Sequence, residues 1–187
     1  MEPLEIIEKI TEAFPGEVLD STLHRGQGAV IVRRDRIVDI CRRLRDGKTR
    51  MNHMMCLCGV DNKARDMTGL ERFEVVYHLY SMSERHMIRL RAQVPEEDAV
   101  IDSITPLWSG ADWPERECYD LLGISFRGHP DLRRILLPAD WQGHPLRKEY
   151  PLRGDSEWQG MVRLKEKAMQ LRRFDFYPEL LADSKKK

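Results

Sequence analysis

No apolar run in this chain of 187 residues approaches the roughly 18–20 needed to cross a bilayer, so no segment reads as a membrane-spanning helix. The start, Met1-Glu2-Pro3, lacks the basic-then-apolar pattern of a secretory leader, which predicts a soluble protein made for the cytosol. There is no G-x-G-x-x-G and no Walker-type loop, and direct nucleotide binding is unsupported without them. The six histidines form neither H-x-x-x-H nor H-E-x-x-H, which removes the case for a zinc hydrolase. Charge of one sign is lacking too. Lysine plus arginine (31) equals aspartate plus glutamate (31), so the whole chain has no electrostatic footprint for nucleic acid. Cysteine is sparse: Cys41, Cys56, Cys58 and Cys118 are scattered, and a chain of this length needs no disulfide staple, so reduced thiols are expected.

What is present suits one globular domain with an appendage. Residues 1–126 carry 17 basic and 22 acidic side chains, and residues 127–187 carry 14 and 9, which separates a mildly acidic body from a basic C-terminal third. Leu4, Ile7, Ile10 and Phe14 recur at helical spacing and stop at Pro15-Gly16. Strands over 18–24 and 29–33 flank the turn Arg25-Gly26-Gln27-Gly28. Asp35 opens a helix with Ile37, Ile40, Cys41 and Leu44 on one face and most of its arginines on the other, ended near Gly47. Three strands follow, over 53–60, 72–82 and 86–94. In the last, Ile88, Leu90, Ala92 and Val94 alternate with Arg89, Arg91 and Gln93, as in a sheet with one wet face. The tight link at 81–85 makes the last two strands antiparallel neighbours. Val100, Ile101, Ile104 and Leu107 predict a further helix over 96–107. This order predicts an α+β two-layer domain over 1–110, its mostly antiparallel or mixed sheet covered by helices.

The character changes after residue 123. Pro130, Pro138, Pro145 and Pro151 are too dense for long helices or central strands. A segment with so little apolar periodicity must lie against something else, either this body or another protein. Residues 156–174 regain a helical pattern through Met161, Leu164, Ala168 and Leu171.

Three constellations invite chemistry. In Asp112-Trp113-Pro114-Glu115, Asp112 can cap a helix, Pro114 fits its first turn, and Glu115 can complete a capping box. Along that helix Arg116 and Asp120 can pair at i,i+4, Glu117 and Asp120 share a face, and Gly123 is the stop. A hydrolase using Glu117 and Asp120 would still lack a nucleophile and an oxyanion site. Cys56-Leu57-Cys58 puts two sulfurs on one face of a strand. A small thiol- or metal-based redox protein centred on Cys56 and Cys58 is thus one reading, but no second close pair completes a tetrahedral site, and packing in the core is the better expectation.

The linear context of the helix says more. Glu115-Arg116-Glu117-Cys118-Tyr119-Asp120-Leu121-Leu122-Gly123-Ile124, with Phe126 and His129-Pro130-Asp131-Leu132-Arg133-Arg134-Ile135-Leu136, resembles the motif of the thirty-kilodalton, C-type subunit of complex I, the proton-translocating NADH:quinone oxidoreductase. A second block, Asp140-Trp141-Gln142-Gly143-His144-Pro145-Leu146-Arg147-Lys148-Glu149-Tyr150-Pro151-Leu152, extends the match. Gly59-Val60-Asp61 and Arg72-Phe73-Glu74-Val75-Val76-Tyr77-His78-Leu79 resemble the family's sheet region. Leu122 stands where many members carry phenylalanine, and Asn62 where an aromatic is common.

The resemblance implies a structural subunit of the complex's peripheral arm, without catalytic, cofactor or metal residues of its own. It would run along the forty-nine-kilodalton, D-type subunit near the quinone site and support electron transfer from NADH to quinone, coupled to proton translocation. Residues 111–187 would be its docking helix and extended partner-binding arm. FMN, iron–sulfur clusters and quinone would belong to other subunits. Glu115, Arg116, Glu117, Asp120 and Tyr150 would carry the family motif, and His129, Arg133, Arg134, His144, Arg147 and Lys148 would be docking donors toward the forty-nine-kilodalton subunit and neighbouring peripheral-arm subunits. Membrane attachment would come only through the complex, on the cytoplasmic side. The equivalent subunit of a membrane-bound hydrogenase, or of a dehydrogenase with another electron donor, is the nearest alternative.

Overall fold

The computed structural model describes residues 1–64, 69–152 and 158–171. They fall in two units, residues 1–150 and residues 151–187. In the first, Ile6, Ile7 and Ile10 give helix α1 (Pro3–Ala13) one buried stripe, and a proline at its start fits the first turn, where no intrahelical bond is lost. Strands β1 (Val18–His24) and β2 (Gln27–Arg33) form the expected hairpin, with Arg25 and Gly26 both at positive φ in its turn. A short 3₁₀ turn leads into α2 (Ile37–Asp46), which buries Ile37, Ile40, Cys41 and Leu44 and ends at Gly47.

Strands β3 (His53–Asp61), β4 (Phe73–Ser81) and β5 (His86–Val94) complete a sheet in the order β1-β2-β5-β4-β3. All neighbours are antiparallel except β2 and β5, whose parallel pairing makes the sheet mixed. One face carries Val30 and Val32, then Phe73, Val75, Tyr77 and Leu79, then Ile88, Leu90, Ala92 and Val94, in a common core with the stripes of α1 and α2. Alternation turns Cys56, Cys58, His78, Arg89 and Arg91 to the other face. Cys56 and Cys58 are exposed, which corrects the expectation of core packing. A bulge between Met54 and Cys56 shifts the strand so that Leu57 points inward, and both cysteines then point out.

The helix expected over 96–107 is absent. Val100–Asp102 is a short strand, β6, paired in parallel with β7 (Ser125–Arg127). Two carbonyls that a helix would use, those of Asp98 and Val100, instead accept the Arg34 guanidinium. Ile101 and Ile104 are buried as expected, so apolar spacing had marked burial without marking a helix. Helix α3 (Asp112–Leu122) packs beside β3, where Gly59 permits the approach: a Cβ there would lie 2.3 Å from Leu122 Cδ1. Residues 128–150, mostly turns, belong to this first unit. In the second unit α4 (Gln159–Leu171) occupies most of the stretch expected to be helical, with Met161 and Leu164 exposed.

Candidate functional site: the junction of helix α3 and the proline-rich arm

An α-helix leaves its last four carbonyls without partners, and a glycine in the left-handed region usually turns the chain back over them. Gly123 ends α3 in that conformation, at φ 75°. The arm supplies what the helix lacks. Leu121 O accepts the Leu146 amide at 3.0 Å, Leu122 O accepts Arg147 Nε at 2.8 Å, and Asp120 O accepts His144 Nδ1 at 2.9 Å. Donation from Nδ1 leaves Nε2 of a neutral His144 as the acceptor, and burial lowers its pKa, in keeping with that form.

The Asp120 carboxylate, fully enclosed, is the hub. Its Oδ2 accepts three successive backbone amides, Ile135 at 3.0 Å, Leu136 at 2.7 Å and Leu137 at 3.0 Å. Its Oδ1 accepts the Arg134 guanidinium at 2.8 Å. Burial opposes ionisation, but these amides and then Arg134 outweigh it and hold the carboxyl below its ordinary range. Arg116 therefore does not pair with Asp120 as its i,i+4 spacing predicts. The Arg116 guanidinium covers the Trp113 ring at 4.8 Å, lies 3.8 Å from Asp112, and donates through Nε to Arg133 O at 3.2 Å. Nor do Glu117 and Asp120 share a working face, because Glu117 is exposed while Asp120 is buried and saturated. The hydrolase reading fails on that geometry.

The capping box is not formed either. A 3₁₀ turn, Ser109–Ala111, precedes α3, Ala111 is the N-cap, and no side chain caps it. Glu115 is turned elsewhere: Oε1 accepts Ile104 N at 2.8 Å and Oε2 the Ser103 hydroxyl at 2.6 Å. Burial lifts its pKa to about 7, with nearby Asp112 adding to the effect, although the two hydrogen bonds oppose it. His129, whose side chain is fully enclosed, donates from Nε2 to Asp112 O at 3.2 Å and accepts the Asp131 amide on Nδ1 at 3.0 Å. Its Nε2 lies 4.0 Å from Glu115 Oε2, so the start of the arm is seated against the buried carboxyl.

A second clasp joins the end of the arm to the sheet. Asp61, its side chain 1% exposed, accepts Lys148 N at 2.9 Å, Lys63 N at 3.0 Å and Arg72 NH2 at 2.9 Å. Burial disfavours its charge, but Arg72 and the two amides prevail and bring its pKa down to about 2. Arg72 also pairs with Glu149 and Glu96, and the guanidinium groups of Arg72 and Arg147 lie over the Phe73 ring at 4.7 and 5.2 Å. Tyr150 is half-buried and donates its amide to Arg147 O at 3.0 Å. Asp61, Arg72, Glu149 and Ser103 are the site residues that sequence reasoning passed over. Gly59-Val60-Asp61 and Arg72 were visible as parts of the resemblance, but an acidic residue ending one strand and a basic residue opening another reveal their pairing only once the strands are side by side.

The six expected docking donors thus divide. Arg134, His144 and Arg147 are committed within the chain, and His129 is buried in it. Arg133, 73% exposed and paired only with its neighbour Asp131, faces outward, and so does the Lys148 side chain, which the Asp61 clasp leaves unused. Leu136 and Leu146 are exposed beside them in sequence. A hollow of about 750 Å³ between the ends of α1 and α2 is lined by none of these residues. Among the described residues, no three His, Cys, Asp or Glu side chains are grouped to hold a metal.

Residues 30–156, which include both clasps, match the family model described as respiratory-chain NADH dehydrogenase, 30 Kd subunit. The C-type subunit of the NADH-quinone oxidoreductase of Geobacter sulfurreducens is 46% identical over 148 residues, covering 78% of this chain and 88% of that protein. Its counterpart in Roseiflexus sp. strain RS-1 is 48% identical, covering 79% and 83%. Among solved structures, the trypsin-resistant fragment (1-134) of Nqo5 aligns with a TM-score of 0.59 and 33% identity over 70% of this chain and 99% of its own. A chain of an archaeal membrane-bound sulfane sulfur reductase aligns at 0.65 over 88% and 91%, with 21% identity, which shows a shared fold alone.

Proposed function

Since this chain belongs to the family of the 30 Kd subunit of respiratory-chain NADH dehydrogenase, we propose that it is the thirty-kilodalton scaffold of a proton-translocating NADH:quinone oxidoreductase, seated on the forty-nine-kilodalton subunit in the peripheral arm. The observation that carries this reading is the match over 30–156, since it includes every residue of the Asp120 and Asp61 clasps. In this reading the body does no chemistry. FMN and iron–sulfur clusters reside in neighbouring subunits, quinone binds beside the forty-nine-kilodalton subunit, and the complex lies against the cytoplasmic side of the membrane.

The geometry supplies a physical role for the arm. Residues 124–150 have no apolar periodicity, so on their own they would incur a large entropic cost in presenting one shape to a partner. The two clasps meet that cost inside the subunit. Prolines and a web of amide-to-carboxylate bonds hold the segment in one path, and what remains outward is a mixed surface of Arg133, Lys148, Leu136 and Leu146. Pre-shaped segments bind with less ordering penalty than disordered ones. Arg133 and Lys148 are the donors proposed to meet acidic groups and carbonyls of the forty-nine-kilodalton subunit.

Purification of a tagged chain from native membranes tests the assignment. The forty-nine-kilodalton subunit and NADH:quinone reductase activity are expected to accompany it. Alanine at both Arg133 and Lys148 is expected to leave the circular dichroism spectrum unchanged while lowering the yield of that partner. Recovery of the unaltered chain with hydrogenase subunits, or with none, would reject the assignment. Full recovery with the double variant would reject these two residues as docking donors.

A further inference from the structure

The motif and the clasps leave one chemically reactive feature unused, the Cys56-Leu57-Cys58 segment in β3. Both cysteines are exposed, with free thiols. They lie on the same face of the strand, Cys56 opposite His78 and Cys58 opposite Val76 across β4. Partial burial, and then the neighbouring Cys56, raise the pKa of the Cys58 thiol, so that thiol rests protonated and gives up its proton only to an acceptor that binds sulfur. Cys41 and Cys118, by contrast, are buried in the core, where burial drives both thiols far toward the protonated form.

Strand geometry restricts what this pair can do. Residues two apart on a strand have Cα atoms about 6.6–6.8 Å from each other. Disulfides span about 4.4–6.8 Å, with a preferred value near 5.5–6 Å, so direct oxidation would hold the bridge at the long limit of its range while β3 stays paired with β4. One atom placed between the sulfurs relieves this demand, since two bonds of about 2.3 Å allow the sulfurs to sit as much as about 4.6 Å apart. A centre requiring four ligands, such as zinc, finds too few here, because the described residues include no group of three potential ligands. Thiolates are soft donors and select soft acceptors.

We propose that Cys56 and Cys58 form a dithiol clamp for a soft centre that is satisfied by two thiolates, either trivalent arsenic or a two-coordinate d¹⁰ ion such as Cu(I). With an organoarsenic oxide, two S–H bonds and the arsenic–oxygen bond break and two As–S bonds form. The two protons leave with the oxygen as water, and arsenic remains trivalent. With Cu(I), two thiol protons pass to solvent and two S–Cu bonds form without a change of oxidation state. Because the strand already presents both sulfurs on one face, the second bond closes a ring within the same molecule, and ring closure gives the pair its advantage over two independent thiols.

The test uses the full chain, reduced and native. Phenylarsine oxide at one equivalent is expected to give a single adduct by intact-mass measurement, with simultaneous loss of two titratable thiols. Cys56→Ser and Cys58→Ser are each expected to abolish it, while Cys41→Ser and Cys118→Ser retain it. A Cu(I) titration against a chromophoric chelator forms the second arm. One equivalent held by the unaltered chain, with affinity at least a hundredfold lower in either Cys56→Ser or Cys58→Ser, assigns the clamp to the metal as well; an adduct with the arsenical alone assigns it to trivalent arsenic. Since both positions are exposed, the serine variants are expected to fold, as far-ultraviolet circular dichroism will show. An adduct that survives in either single variant, or one that consumes Cys41 or Cys118, would overturn the proposal.

Discussion

Replacing Asp120 by asparagine is a nearly isosteric change that removes one acceptor atom and one charge from the centre of the junction. In the native site Oδ2 serves the three amides of Ile135, Leu136 and Leu137, and Oδ1 serves Arg134. An amide has only one oxygen. If that oxygen faces the three amides, the new NH₂ points at the Arg134 guanidinium; if it faces Arg134, three backbone donors meet an NH₂. The first arrangement is the cheaper, yet it leaves a cation that is 19% exposed without its counterion. Stranding a buried donor costs about 1–3 kcal/mol, and removing one partner of a buried ion pair about 3–5 kcal/mol. The partial exposure of Arg134 reduces the latter, so Asp120→Asn is expected to destabilise the first unit by about 3 kcal/mol.

Equilibrium urea unfolding at pH 7 measures that loss, and limited trypsin digestion localises it, because release of the arm frees the peptide bonds after Arg133 and Arg134. The pH dependence has a definite sign. A carboxyl whose folded pKa is depressed contributes stability above its unfolded pKa, about 3.9, and loses it as pH falls through the lower folded value. The difference between the unaltered chain and Asp120→Asn should therefore narrow progressively below about pH 4. A loss of less than about 1 kcal/mol, together with an unchanged digestion pattern, would refute the view that Asp120 holds the arm.

Glu115→Gln reverses the sign: the native pKa is raised from 4.5 to about 7, so the contribution of Glu115 is fully present below the unfolded pKa and about 3 kcal/mol of it is lost as pH rises from 4.5 past 7, a loss the variant does not show. Parallel urea midpoints for the two proteins between pH 5 and 8 would contradict this. Gly123→Ala is expected to cost about 1–2 kcal/mol for the left-handed backbone alone. The added Cβ would also meet Arg147 and His144 at 2.6 Å, so the variant should be cut faster by trypsin after Arg147. In the unaltered free chain, brief trypsin treatment is expected to leave a resistant core that retains residues 1–150, and early cleavage after Arg133 or Arg134 would contradict the compact unit described here.

Much of the layered body was legible in the sequence because its signals are local. The stripe of α1, the hairpin, the arginine-backed helix α2 and the alternation in β5 each follow from a period that one short window contains. The failures share a physical origin. Val100, Ile101, Ile104 and Leu107 have helical spacing, but β6 is stabilised by pairing with Ser125–Arg127 and by Arg34, 66 residues earlier in the sequence. Glu115 has the position of a capping residue and is instead drawn to Ser103 and Ile104. Arg116 and Asp120 have the spacing of an exposed pair and are each taken by a partner on the arm. In each case a partner distant in sequence took a group that local spacing assigned nearby, and for the Arg116–Asp120 pair the local contact would be worth only a few tenths of a kcal/mol. The two cysteines were misplaced because a single bulge decides which face of β3 they occupy.

The same reasoning explains why the resemblance was strongest where local physics said least. Asp120, Gly123, His144, Arg147 and the prolines have no periodic relation to one another, and no window of the sequence shows why they should occur together. In the fold they solve one problem. A helix terminus and a segment without a core of its own each expose backbone groups that need partners, and each supplies what the other lacks. The carboxylate of Asp120 takes the arm's amides, while His144, Arg147 and the Leu146 amide take the helix's last carbonyls. Such an exchange fails as a unit if one member is lost, since each partner left behind is a buried donor or acceptor without water. The basic residues of the arm therefore serve two ends that composition cannot separate. Those turned inward fix the arm's path, and among the six expected donors Arg133 and Lys148, whose side chains are left outside, are the ones proposed to meet another protein of the complex.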